Sequence, residues 1–241
     1  RMCRMNDMYR TLLAAVALAF SGVAASAETI TVCASGCDDT SINAAIIAAS
    51  DGDVIQLAAE TYFEGSQIDT LGKAITLRGV LDKAGDPASV LDGADTHRVL
   101  ICQSGEGTGT IFERLVIRNG LASGNPPNNR GGGMYNNSNS STTLTDCTFA
   151  SNSATIGGGV YNGASSIPSL ANCTLCSNDP DQLIGEYVDL GGNCISDVCD
   201  TDADGTRDCD DLCPEDPNKT EPGDSGCGVE DPERDSAGTA D

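Results

Sequence analysis

The chain has 241 residues, enough for one or two domains. Its 36 acidic and 13 basic side chains give a formal net charge of −23, which repels phosphate backbones and excludes nucleic acid as a default partner. Aromatic residues make up 4%, Trp is absent and there are 28 glycines, a composition that disfavours one bulky core and suits a thin repetitive one.

Arg1, Arg4 and Arg10 precede an apolar run over 12–20, and Ala25-Ser26-Ala27 fits a small-x-small cleavage site. Residues 1–27 therefore read as a signal peptide, with the mature chain starting near Glu28. The run is shorter than the roughly 20 residues of a membrane-spanning helix, and no later stretch is more apolar, so no transmembrane segment is expected in the mature chain. The first residue is Arg rather than Met, which fits a start further upstream. Twelve cysteines suit an oxidising compartment, so a secreted, extracellular or cell-surface location is expected. Loss of Cys3 with the leader leaves an odd number, so at least one thiol falls outside intrachain pairs.

Residues 28–196 are expected to form one all-β domain. Ile42, Ala45, Ile46 and Ala49 recur at helical spacing behind the N-cap candidates Thr40 and Ser41, predicting a short helix that ends at Asp51-Gly52. Further on, Gly131-Gly132-Gly133-Met134-Tyr135-Asn136 returns 26 residues later as Gly157-Gly158-Gly159-Val160-Tyr161-Asn162. Leu144, Cys147, Phe149 and Asn152 return at the same step as Leu170, Cys173, Leu175 and Asn178, and Gly185 and Tyr187 extend it into a fading third copy. One unit earlier, Phe112, Leu115 and Ile117 match at a step of 32, the surplus falling in the loop 124–130. Ile75 and Leu77 look like the same strand pair earlier still. Apolar residues alternate within each unit, which is strand periodicity, and no single unit can close a core. Stacking the units as coils of a β-solenoid of five to six turns solves this, with Leu144 over Leu170 and Cys147 over Cys173. Gly and Asn are expected at the left-handed corners, and the helix as a lid over the first coil.

Several segments resemble right-handed parallel β-helix proteins of the pectate-lyase-like superfamily. They are Gly52-Asp53-Val54-Ile55-Gln56-Leu57 with Tyr62, then Val90-Leu91-Asp92-Gly93, then Leu115-Val116-Ile117-Arg118-Asn119-Gly120. Phe149-Ala150-Ser151-Asn152 and Gly157-Gly158-Gly159-Val160 are similar to polymorphic outer-membrane-protein repeats. The resemblance implies a right-handed parallel β-helix, an architecture that hosts polysaccharide lyases and glycoside hydrolases alongside adhesins and inert surface proteins.

From 197 to 241 the composition turns acidic, with 16 carboxylates against Arg207, Lys219 and Arg234. Asp200, Asp202, Asp204, Asp208 and Asp211 occupy positions 1, 3, 5, 9 and 12 of a twelve-residue loop. Gly205 falls at the sharp turn and Thr206 can offer its carbonyl, the arrangement by which a short loop wraps calcium in oxygen ligands. The run from Asp200 to Cys213-Pro214 resembles the thrombospondin type 3 repeat, which implies calcium as cofactor and a loop-plus-disulfide role for Cys209, Cys213 and Cys227. A degenerate second copy spans 233–241.

Other candidates carry less. Cys33 and Cys37 are spaced for a local bridge, as are Cys194 and Cys199, and Cys173-x-x-Cys176 with Cys194 and Cys199 has zinc-like spacing. His97 has no triad context, Asp92 and Asp95 sit among turn residues, and Arg114, Arg118 and Asp146 lack an acidic cluster. No catalytic residue is assigned. The expectation is a non-catalytic surface scaffold with a calcium module, its partner a polysaccharide or cell-envelope surface. The alternative is a polysaccharide lyase or glycoside hydrolase.

Overall fold

The computed structural model of the chain describes residues 26–231. The apolar leader run and the second acidic copy at 233–241 lie outside the described residues. No helix among the described residues is long and apolar enough to cross a membrane.

Short strands with apolar residues at every second position bury one face only if their neighbours keep register. Among the described residues they do so in three larger parallel sheets and one two-stranded pair, Leu121–Ala122 with Ser153–Ala154. The first comprises seven strands, Thr29–Val32, Val54–Leu57, Thr76–Arg78, Ile111–Glu113, Thr143–Thr145, Ser169–Ala171 and Val188–Asp189, paired in that order. The second has six, Thr61–Tyr62, Ser89–Asp92, Leu115–Arg118, Thr148–Ala150, Thr174–Cys176 and Cys194–Ser196. The third has five, Ile68–Asp69, Leu100–Cys102, Met134–Asn136, Val160–Asn162 and Leu183–Ile184. From Val54 onward the chain visits first, second and third sheet in rotation, with the two-stranded pair inserted between second and third in two of the turns, an order compatible with a parallel β-solenoid.

The repeat maps onto this register. Met134, Tyr135 and Asn136 lie opposite Val160, Tyr161 and Asn162, so the two Gly-Gly-Gly-x-Tyr-Asn segments are neighbours. Leu144 lies between Phe112 and Leu170, and Phe149 between Ile117 and Leu175. These side chains are fully buried in one continuous apolar cluster. The glycine triplet is a packing requirement: a Cβ on Gly132 would stand 2.4 Å from the Ser153 carbonyl, and one on Gly158 would stand 2.2 Å from that of Asp179. The last turn departs from the expected step. Tyr161 pairs with Ile184, Ser169 with Val188 and Thr174 with Cys194, so Gly185 and Tyr187 do not continue the 26-residue repeat. This turn is shorter, and Leu183 and Tyr187 pack against the end of the cluster.

Asparagines bind successive turns together. Asn152 donates to Asn178 Oδ1 at 2.9 Å and to the Ile117 carbonyl at 3.0 Å, while its own Oδ1 accepts from Gly120 N at 2.8 Å. Asn178 repeats the pattern with the Phe149 carbonyl and Gln182 Oε1. A second ladder joins Asn136 Nδ2 to Asn162 Oδ1 at 3.0 Å. All four are buried, and each bond satisfies a group that water cannot reach. The left-handed corners are not reserved for Gly and Asn as expected. One corner row is Arg114, Asp146 and Asn172, with φ of 58°, 51° and 52°, and another is Asn119, Ser151 and Ser177, at 52°, 56° and 54°. The inter-turn hydrogen bonds from Arg114 N to Thr145 O and from Asp146 N to Ala171 O hold these residues where their intrinsic preference would not.

The helix runs Ile42–Ala48, ending short of the expected Asp51. Ser41 caps it by accepting from Ala44 N at 3.2 Å, and Ile42, Ala45 and Ile46 join the core cluster. Its free backbone groups are covered by side chains from later turns. Glu64 accepts from Ile42 N at 2.7 Å and Asn43 N at 3.2 Å, and the Lys73 ammonium donates to the carbonyls of Ile46, Ile47 and Ala49 at 2.6–2.8 Å. Anion at the N-terminus and cation at the C-terminus both complement the helix dipole.

Replacing Asn152 with Ala strips three hydrogen bonds from buried partners. The expected loss is about 1–3 kcal/mol, read from the midpoint of urea unfolding. Acid should also destabilise the stack. The N–H groups of Glu28 and Ser50 hold the Asp53 carboxyl below its ordinary range. At Asp92 burial pushes the other way, but hydrogen bonds from Ala94, Asn119 and Arg118 outweigh it and the pKa is lowered. A carboxylate depressed in the folded state stabilises above its unfolded pKa and loses that contribution as pH falls through the folded value. Thermal unfolding should therefore be flat near neutrality and move to lower temperature below about pH 4.

Candidate metal centre

After Ser196 the described chain contains no further strand or helix, and local backbone geometry must place its side chains. Positive φ at Ala203 (63°) and Gly205 (98°) curls the segment so that one carboxylate oxygen from each of Asp200, Asp202 and Asp204 lies within 4.8 Å of the others. The curl is held by its own acids. Asp200 accepts from Ala203 N at 2.7 Å and from Gly205 N at 2.9 Å, and Asp204 accepts from Thr206 N at 2.7 Å.

Two oxygens are left over. Asp202 Oδ2 and Asp211 Oδ2 are buried without a hydrogen-bond partner, and Asp211 as a whole is only 6% exposed. Burial, then the charges of Asp204, Asp211 and Asp200, push the Asp202 carboxyl above its ordinary range. Buried, unpartnered and mutually repelling carboxylate oxygens are costly, and a hard cation is the partner that removes the cost. The Asp200, Asp202 and Asp204 set fits a metal ion by this test. Asp208 is engaged otherwise. Asp208 spends both oxygens on Thr201, accepting from its N and Oγ1 at 2.7 Å each, and Thr206 gives its N–H to Asp204.

The loop lies across the outer face of the second sheet, which spacing did not foretell. Cys176 bonds to Cys199 and Cys194 to Cys209, so Cys194 and Cys199, whose spacing also allowed a local bridge, take other partners. Connectivity follows from where the tail docks: Cys176 and Cys194 sit on neighbouring strands and each takes the tail cysteine brought against it. Cys33–Cys37 forms as expected, and Cys213–Cys227 closes the end of the tail. Three of the four cysteines with zinc-like spacing are thus oxidised. The fourth, Cys173, is one of the buried thiols Cys102, Cys147 and Cys173. Arg207, also unflagged by sequence, donates to Thr174 Oγ1 and pairs with Asp210.

A groove of about 880 Å³ opens beside the loop. Its floor includes Val116 and Thr148 of the second sheet, one wall is the segment with Leu81 and Pro87, and the other includes Thr206 and Arg207. Of the acids and bases weighed for catalysis, Asp92, Arg118 and His97 are engaged away from the groove, Asp146 lines it, and Arg114 Nε is buried without a hydrogen-bond partner. Asp92 accepts from Arg118 Nε at 2.9 Å and from Asn119, Asp146 accepts from Asn172 Nδ2 at 3.1 Å, and His97 Nδ1 lies 2.7 Å from the Arg98 carbonyl. Comparison with family models, with curated proteins and with solved structures gave no match to this chain. The resemblances noted above rest on residue pattern alone.

Peptide mapping of the unreduced protein should recover the four cross-links 33–37, 176–199, 194–209 and 213–227. Alkylation at Cys102, Cys147 and Cys173 is expected only after unfolding. Recovery of a 194–199 cross-link would contradict the docking of the tail.

Proposed function

We propose that the chain is a secreted or cell-surface scaffold, a right-handed parallel β-helix over 28–196 carrying a thrombospondin type 3-like calcium module over 197–241. It is non-catalytic and presents its outer faces to a polysaccharide or cell-envelope surface. The observation that carries the calcium part is the orphaned oxygen of Asp202 within the Asp200, Asp202 and Asp204 cluster, with a second on Asp211, whose charge acts on Asp202. Asp200, Asp202, Asp204 and Asp211 would hold the ion with the Thr206 carbonyl, and Asp208 would join by releasing Thr201. Oxygen ligands at this spacing favour calcium over softer metals, with Kd on the order of 10⁻⁴ to 10⁻³ M for extracellular modules. Four disulfides support export to an oxidising compartment.

The scaffold reading is supported by the pairing of Asp92 with Arg118 and of Asp146 with Asn172; the groove is lined by Thr148, Asn172 and Thr206 together with Asp86, Asp146, Arg207 and Asp210. The hydroxyl and amide groups of the groove can hydrogen-bond saccharides, and its acids with the net charge of −23 favour neutral ones over polyanions. The alternative, a lyase or hydrolase, is tested directly by incubating the protein with polygalacturonate and other glycans, with calcium or chelator. Unsaturated or shortened products would overturn the scaffold reading.

For the ion, Asp204→Ala is expected to weaken calcium binding at least tenfold in calorimetric titration while leaving the far-ultraviolet dichroism of the strands unchanged. Equal titration curves for the two proteins would reject the assignment.

A further inference from the structure

Strand alternation and burial disagree at one place on the second sheet. In Thr174–Cys176 the central Leu175 points into the core, so Thr174 and Cys176 face outward by the period of two. One turn earlier, the equivalent outward residues Thr148 and Ala150 are half-buried. Thr174 and Cys176 are 4% and 0% exposed, and Cys194, opposite Thr174 on the last strand, is 3% exposed. What covers them is the acidic loop.

The cover is pinned at both ends of the ligand run. Cys199, bonded to Cys176, immediately precedes Asp200, and Cys209, bonded to Cys194, lies between Asp208 and Asp211. Asp208 N donates to the Cys199 carbonyl at 3.1 Å, closing the loop between the two anchors. Midway, Arg207 reaches the Thr174 hydroxyl. The acids that shape the loop thus lie between the residues that fix it to the last two strands of the second sheet.

We propose that the acidic loop is a metal-dependent clasp: an ion held there slows the local opening of Thr174–Cys176 and Cys194–Ser196, and the clasped strands in turn raise the loop's affinity for the ion. This rests on the calcium reading given above. The physical ground is linkage. An ion that binds the ordered loop suppresses any opening that disorders it by the factor 1 + [L]/Kd, and the coupling acts equally in both directions. The terminal strand Cys194–Ser196 has a neighbour on one side only and opens most easily, and its opening uncovers the edge of Thr174–Cys176.

Amide hydrogen exchange of the full chain in calcium chloride against EDTA tests this, with calorimetry on the same samples. With free calcium at about a hundred times Kd the ceiling is about a hundredfold, and we expect at least tenfold slower exchange over 174–176 and 194–196. The strands Val54–Leu57 and Thr76–Arg78, at the other end of the stack, should not change. Arg207→Ala retains every proposed ligand, so it should still bind calcium while losing most of the protection over 174–176. Calcium binding with protection confined to 200–211 would overturn the clasp and leave the ion site standing. Absence of any binding heat, with unchanged exchange, would overturn both. Full protection in Arg207→Ala would overturn the part given to that residue.

Discussion

The structure depends on parallel strands staying in register from one turn to the next. Strands of two to four residues have too few hydrogen bonds and too little apolar area to persist alone. Each is held by the strand before and after it, and the same register that pairs the backbones puts Leu144 between Phe112 and Leu170 and Phe149 between Ile117 and Leu175. A slip of one residue would turn each inward row to solvent. The buried asparagines guard against this. Asn152 and Asn178 each bind carbonyls and amides of adjacent turns, so a shifted turn would leave them unsatisfied in the interior.

Such a stack is vulnerable at its ends, and the chain treats the two differently. At the first turn an apolar helix is laid on the core, its backbone ends neutralised by Glu64 and Lys73. The last turn is shortened instead. Leu183 and Tyr187 partly cover the interior, Asp189 stands in register with Leu170, and Val188, Leu190 and Ile195 stay exposed. The tail then returns over the outward face of the second sheet rather than over the end, and cross-links hold it there. The groove beside it exists because the loop stands proud of the sheet.

How legible each part was depends on what sets it. The rung positions of Leu144, Leu170 and the glycine triplets could be read because stacking demands like residues at a constant step, and the step is written in the chain. The left-handed corners at Arg114 and Asp146 could not, because the neighbouring turn imposes that conformation on residues with no preference for it. The end of the repeat was misread for a related reason. Gly185 and Tyr187 keep the spacing by sequence, but loop shortening in the last turn moves the register to Ile184 and Val188. In the tail, spacing placed Asp200, Asp202 and Asp204 correctly, since alternating acids before a turning glycine converge locally. The partner of Cys194 and the engagement of Asp208 with Thr201 depend on the docked pose and on competing local hydrogen bonds, neither of which spacing encodes.

A tail this acidic would ordinarily stay extended by self-repulsion. Here most of the described carboxylates act as backbone caps: Asp200, Asp204, Asp208 and Asp216 each accept from main-chain N–H groups, and Asp231 accepts from Ser225 N and pairs with Lys219 at 3.0 Å. In a segment without strands these bonds do the work that a ladder does elsewhere, because each turn of backbone finds its acceptor in a nearby side chain. The charge of these acids is therefore spread over partial positive N–H groups, whereas Asp202 and Asp211 each bury one oxygen, Oδ2, that no donor reaches. A random acidic tail would leave its unpaired oxygens in water. That the two here are withdrawn from it, between two cross-links to the same sheet, is what separates a built site from a run of like charges.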